Sequence, residues 1–242
     1  MNPQENGKRD HEARFFGRRR GKPLRPGRAA LLDSLLPRLV LPRPAAGEFY
    51  DIPSLFDRPK RSYRLEIGFG GGEHLAAQAR TNSDVGFIGS EVFVNGIGSL
   101  LQHLERDETY ENVRVYPDDV RQILHALPDG IFDKIFLLFP DPWPKKRHVE
   151  RRFVSQANLA AAARLLVDGG ELRVASDDLN YIEWSLAQCA EHPDFILNGA
   201  TPDDFRIPPD DWVPTRYEQK AIRQGKACYY LPFIRKERRD AS

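Results

Sequence analysis

The order of elements predicts an α/β protein built on a doubly wound, mostly parallel sheet that finishes with an antiparallel strand. Three observations carry this expectation. Short apolar strand candidates alternate with helical stretches through most of the chain. One of them, Ile135-Phe136-Leu137-Leu138-Phe139, is apolar without alternation, as a strand covered on both faces requires. A glycine-rich turn, Gly68-Phe69-Gly70-Gly71-Gly72, follows the first strand candidate at once and opens a helix. Such a turn brings backbone N–H groups close to a ligand.

Residues 1–28 hold nine Lys/Arg against three Asp/Glu, a net +6, whereas the rest of the chain has 27 against 32, a net −5. A basic arm on an acidic body points to a polyanionic partner. The arm lacks hydrophobic periodicity and is expected to be disordered when free. The stretch from Ala29 to Leu41 is interrupted by Pro37 and gives at best a short helix; Pro42 to Pro59 reads as a proline-rich linker. The expected organisation is an arm and linker over 1–47 and a single domain over 48–242.

Within that domain, Arg64 to Ile67 is the first strand and His74 to Arg80 the helix after the turn. Val85 to Glu91 is the second strand, followed by a helix from Asn95 to Arg106. Asn112 to Tyr116 is the third, with Asp118 or Asp119 capping a short helix over Val120 to Ala126. Asp133 to Phe139 is the fourth and central strand. It ends abruptly in Pro140-Asp141-Pro142-Trp143-Pro144, where prolines hold the chain out of helix and ladder, and then in Lys145-Lys146-Arg147. A helix is expected over Val149 to Val167, stopped by Asp168-Gly169-Gly170. Glu171 to Ala175 is the fifth strand and Tyr181 to Glu191 the next helix. Phe195 to Leu197 and Ala227 to Phe233 close the sheet, with a long loop between them carrying Thr215-Arg216-Tyr217-Glu218.

Composition bounds the function. Two distant cysteines without a CxxC, and no clustered histidines, argue against a disulfide framework or a metal site and for a cytoplasmic protein. No apolar stretch is long enough to span a bilayer, so no membrane association is expected. Nothing marks an obligatory protein partner.

Glu66, Glu91, Asp119 and Asp141 fall at or just beyond the ends of four successive strands, the edge of an open α/β sheet where ligands bind. A dinucleotide fingerprint needs a glycine where this chain has Glu73, and Glu66 would repel a pyrophosphate. Glu91, about 20 positions after Gly68, is spaced to bind ribose hydroxyls. Asp119 is placed to reach an adenine amine. A ligand with an ammonium group, two ribose hydroxyls, an aminopurine and no phosphate suits this set, and S-adenosylmethionine has that composition.

In order, Glu66-Ile-Gly68-Phe-Gly70-Gly-Gly, Gly89-Ser-Glu91-Val, Phe139-Pro-Asp141-Pro-Trp-Pro-Lys145-Lys-Arg-His148, Arg151-Arg152, Ser176-Asp177 and Thr215-Arg-Tyr-Glu218 resemble the bacterial tRNA (guanine-N7)-methyltransferases. The resemblance covers roughly residues 60 to 233, and its most specific part is the Pro-Asp-Pro-Trp-Pro-Lys-Lys-Arg-His stretch. Ser90 and Gly71 depart from the pattern without removing a polar group the chemistry needs. The resemblance implies a Rossmann-like class I methyltransferase that transfers a methyl group from S-adenosylmethionine to nitrogen 7 of a guanosine in the tRNA variable loop. S-adenosylhomocysteine would be the product, and no metal is needed. It also implies that Glu66, Gly68, Gly70, Glu91, Asp119 and Asp141 hold the cofactor, that Asp141 is catalytic, and that Lys145, Asp177, Thr215, Arg216, Tyr217 and Glu218 contact the RNA. Trp143 is expected to stack on the base, and Arg151, Arg152 and the arm to meet phosphates.

Overall fold

A computed structural model describes residues 17–238 except Ala46 and Ala200. Seven strands form one sheet: β1 Ser62–Ile67, β2 Val85–Ser90, β3 Val113–Tyr116, β4 Phe132–Leu138, β5 Leu166–Ser176, β6 Phe195–Leu197 and β7 Tyr229–Arg235. Their order is β3-β2-β1-β4-β5-β7-β6. The pairs from β3 to β5 are parallel; β7 runs antiparallel to both β5 and β6. The sheet order reverses at β1 and β4, so the ends of those two strands flank the switch point at which such sheets bind ligands.

The helices are α1 Pro26–Ser34, α2 Leu36–Leu39, α3 Glu73–Thr81, α4 Val94–Asp107, α5 Gln156–Leu165, α6 Leu179–Glu191 and α7 Arg216–Arg223. Strand periodicity sorts the core into layers. On β4, Ile135 and Leu137 pack with Leu159, Ile182 and Leu172 on one face, while Phe136 and Leu138 pack with Ala221 and Tyr230 on the other. On β2, Phe87 faces Leu75 and Leu100 of α3 and α4, and Ile88 faces the opposite layer. The unbroken apolar run of β4 is thus covered on both sides.

Three expectations about local structure are corrected. The long helix over 149–167 is instead a 3-10 turn at Lys146–Arg151 followed by α5, capped by Ser155, and the following glycines lie inside β5. The expected short helix after β3 is two 3-10 turns, Val120–Gln122 and Leu124–Ala126. The loop holding Thr215 to Glu218 is the start of α7, with both bonds of a Thr–Glu capping box formed.

The arm and linker also differ from expectation. Leu31, Leu35 and Leu39, spaced four apart as on one helix face, are buried against α4 and its neighbours, and Leu41 N donates to the Val115 carbonyl at the sheet edge at 2.7 Å. Ile52 and Phe56 of the supposed linker are buried too. The packed body therefore begins no later than Pro26, ahead of the expected boundary. Residues 17–25, without regular structure, are tied to α4: Val94 N donates to the Arg19 carbonyl, Gly21 N to Asn95 Oδ1, and Asn95 Nδ2 to the Lys22 carbonyl. The part of the arm at residues 1–16 lies outside the described residues.

The loop before α7 is fixed by charge. The Asp211 carboxylate lies 2.7 Å from Lys134 Nζ and 2.6 Å from an Arg173 guanidinium nitrogen, and its carbonyl accepts from Gln78 Nε2. Burial opposes ionisation of Asp211, but Lys134 and Arg173 outweigh it and hold the carboxyl down to about 2, against an ordinary 3.8. A depressed carboxyl stabilises the fold above its unfolded value and loses that contribution as pH falls through its folded one. The wild-type denaturation midpoint should therefore fall more steeply than that of Asp211→Asn between about pH 4 and pH 2. The difference is modest because Asp211 is 38% exposed and screened. Parallel acid limbs for the two proteins would show that the pair contributes nothing.

Candidate active site

A cavity of about 480 Å³ opens at the C-terminal ends of β1 to β4 and is lined by all six expected cofactor residues: Glu66, Gly68, Gly70, Glu91, Asp119 and Asp141. Its floor is the turn after β1. Gly68, Gly70 and Gly72 adopt φ of 67°, 58° and 78°, the left-handed region open to glycine at little cost. Gly68 N and Phe69 N donate to the Ser90 carbonyl, which pins the turn to the end of β2. The first turn of α4 comes so close that a Cβ on Gly96 would stand 2.1 Å from the Gly70 carbonyl oxygen.

Glu91 is held from three directions. Its Oε1 accepts from Val92 N at 2.8 Å and Phe93 N at 2.9 Å, and its Oε2 from Gly70 N at 2.7 Å. Burial pushes its carboxyl above the ordinary value, and these three N–H groups oppose that shift. The carboxylate thus couples the glycine turn to the start of α4. Asp119, not Asp118, is the N-cap: it accepts from Arg121 N, and its two oxygens face the Arg121 guanidinium at 2.5–3.0 Å. Asp118 instead accepts from Asp119 N and pairs with Arg19 at 2.9 Å. Burial alone would raise the Asp118 carboxyl, but the Arg19 bond and the Asp119 N–H bring it below the ordinary value. That ion pair anchors the basic segment beside the cavity, whose rim includes Gly17 and Arg18.

Glu66 is 3% exposed and shares its Oε2 with His74 Nδ1 at 2.7 Å. Asp141 is exposed, at the mouth, between two prolines. The backbone around it is strained: Phe139 and Trp143 have φ of 49° and 43°, values that cost a non-glycine residue about 1 kcal/mol or more. Arg152 holds this shape. Expected as a phosphate contact, it is 3% exposed and donates to the Pro142 carbonyl at 2.9 Å, the Trp143 carbonyl at 3.4 Å and Asn180 Oδ1 at 3.1 Å. Its guanidinium also lies over Trp184. Arg152 is therefore a brace for the Pro-Asp-Pro-Trp loop. Trp143 is half-buried, with Arg151 over its ring at 5.0 Å and His148 against its edge, so the protein already covers one face.

The expected RNA contacts divide. Lys145 is exposed just ahead of the 3-10 turn, and Arg216 and Tyr217 are exposed on the first turn of α7, with Thr215 and Tyr217 lining the cavity. Asp177 lies beyond β5, away from the cavity lining, with Lys226 Nζ at 2.6 Å from its Oδ2. Glu218 does not face outward. It is 2% exposed and accepts from Trp212 Nε1 at 2.8 Å, Thr215 N at 3.2 Å and the Tyr230 hydroxyl. Its place is under the loop, as the cap that aims Thr215 and Tyr217. The Thr-x-x-Glu spacing was the available signal. His74, Arg121 and Gly17 carried no sequence signal, whereas Arg18 falls in the basic arm expected to meet phosphates.

Residues 60–231 match the family model described as "Putative methyltransferase". The tRNA (guanine-N(7)-)-methyltransferase of Rhodospirillum rubrum is 54% identical over 94% of this chain and 89% of its own length. That of Paramagnetospirillum magneticum is 50% identical over 97% and 98%. The chain belongs to the tRNA (guanine-N(7)-)-methyltransferase family. The fold is that of solved class I methyltransferases. The cofactor-bound structure of Rv0187 from MTB superposes with a TM-score of 0.52 at 20% identity, over 72% of this chain and 73% of that one. Among the described residues, no helix is long and apolar enough to cross a membrane and no group of side chains is arranged to hold a metal ion.

Proposed function

We propose that this enzyme methylates nitrogen 7 of a guanosine in the tRNA variable loop, using S-adenosylmethionine, in the cytoplasm. The observation that carries the reading is the convergence of four carboxylates from the ends of β1 to β4 on one cavity with no lysine among its described lining residues. Glu66 is suited to an ammonium group, Glu91 to ribose hydroxyls and Asp119 to an adenine amine, while the wide glycine turn admits the chain between them. The bound cofactor supplies a methyl group on a positively charged sulfur.

The protein's own task is then positioning and electrostatics. Nitrogen 7 of guanine carries a free lone pair, so no residue has to remove a proton before attack. Positive charge develops on the purine as the methyl arrives, and Asp141 at the cavity mouth is the carboxylate that faces it. Thr215 and Tyr217 border the same cavity from the start of α7 and orient the RNA, and Arg216, Asp177 and Lys145 contact it outside the cavity. Labelled S-adenosylmethionine and two tRNA transcripts, one with its variable-loop guanosine and one with adenosine there, test the reading. Label only on the first, recovered as 7-methylguanosine, is expected; equal labelling of both would move the target site.

The basic segment contributes to RNA affinity. The acids and bases of residues 1–16 cancel, so the whole +6 of the arm resides in residues 17–28, of which Gly17 and Arg18 line the cavity. Arg18, Arg20, Lys22 and Arg25 are exposed on this segment. Changing these four to serine should weaken tRNA binding and lower the slope of log affinity against log salt by about 2–3. An unchanged slope would make the segment a purely structural strap.

A further inference from the structure

His74, on the first turn of α3, is buried to 1% exposure between the cofactor-side acid Glu66 and the loop that leads to α7. Its Nδ1 lies 2.7 Å from Glu66 Oε2. The ring packs edge-on against Phe136 at 4.7 Å between centroids and lies 5.8 Å from Trp212. Its other nitrogen, Nε2, is buried with no hydrogen-bond partner among the described residues.

We propose that His74 is a positioning residue for the cofactor: its Nδ1–H fixes the Glu66 carboxylate in the orientation that receives the ammonium group. The proposal rests on the reading that Glu66 binds that group. A carboxylate that receives an ammonium group is ionised and only accepts, so on that reading the shared hydrogen sits on Nδ1 and the imidazole is the donor. Phe136 and Trp212 set the ring plane, and the bond leaves Glu66 one way to present its second oxygen. A glutamate without this donor would have to order three torsions when the ligand arrives; with it, that ordering precedes binding. As a core filler the imidazole is a poor choice, because one buried nitrogen is left unsatisfied where an aliphatic side chain would leave none. What His74 adds to the core is the directed donor. Trp212 in turn donates through Nε1 to Glu218, so the group that sets the plane of His74 is also tied to the cap of α7.

Calorimetric binding of S-adenosylmethionine to the full chain, without tRNA, tests this. Asparagine places its amide where Nδ1 stands, and glutamine places it near Nε2. His74→Leu and His74→Gln should weaken binding by about ten- to a hundredfold, the loss of a charge-assisted bond. His74→Asn should stay within about threefold of wild type, and tRNA affinity should be unchanged in all three. In a Glu66→Gln background, His74→Leu should add no further loss. Equal weakening by Asn and Gln, or the same factor for His74→Leu with and without Glu66, would overturn the proposal. If the leucine variant fails to fold, the asparagine–glutamine comparison decides alone. Wild-type protein that binds no S-adenosylmethionine would instead overturn the cofactor reading.

Discussion

Asp141→Ala is expected to slow single-turnover methyl transfer by about 10²–10³, the scale on which removing one preorganised electrostatic partner of a transition state acts. The fold should be untouched. Asp141 is exposed and accepts no hydrogen bond from the described residues, so its truncation strands no buried partner and should change stability by no more than about 0.5 kcal/mol. The backbone that presents it is set independently, by the flanking prolines and by the Arg152 bonds to the carbonyls of Pro142 and Trp143. Asp141→Asn separates charge from shape: it keeps the side-chain outline and should still lose most of the rate, since no proton has to be taken from guanine and only the negative charge is missing. Quenched-flow measurement with saturating tRNA, beside thermal denaturation, reads both quantities. A rate within about threefold of wild type for Asp141→Ala, less than a kcal/mol of barrier, would remove Asp141 from the mechanism.

Much of this site is legible in the sequence because it sits at strand ends. Apolar runs with period two or none mark β1, β2 and β4, and an acid immediately after such a run must emerge at the ligand edge of a parallel sheet. That is why Glu66, Glu91, Asp119 and Asp141 are found together. What the sequence hides is whether a charged side chain faces solvent or core. Arg151 and Arg152 are adjacent and alike in composition, yet Arg152 is buried as a brace with three acceptors. A charge that follows Lys145-Lys146-Arg147 reads as one more phosphate contact until its burial is seen. The N-terminal segment fails for the opposite reason. Its charge and prolines suggest an unstructured arm, but the spacing of Leu31, Leu35 and Leu39 is a helical stripe, and Pro26 and Pro37 occupy first-turn positions that tolerate proline. Average composition over a segment conceals a narrow apolar face.

Glu218 makes the same distinction testable with the largest expected effect on stability. Read as an RNA contact, its loss would raise the KM for tRNA and leave the fold alone. Its burial at 2% exposure, beneath Trp212 Nε1, Thr215 N and the Tyr230 hydroxyl, requires the reverse. Glu218→Ala leaves three donors without their common acceptor, each such bond to a charged group being worth about 1.5–3 kcal/mol. Part of that is offset because the buried charge goes too, so a net loss of about 3 kcal/mol is expected. Urea denaturation of Glu218→Ala should show it as a lower midpoint with an unchanged slope. Tyr217→Ala is the matching control one residue away: 46% exposed at the cavity, it should keep the wild-type midpoint and lose activity on tRNA. The capping box explains why neighbours diverge, since in the first turn of α7 the N3 carboxylate turns back to the N-cap while the residue before it is exposed at the cavity. A wild-type midpoint for Glu218→Ala together with a raised KM would return Glu218 to the RNA surface, and the cap would then be an accessory of α7 and not what aims it.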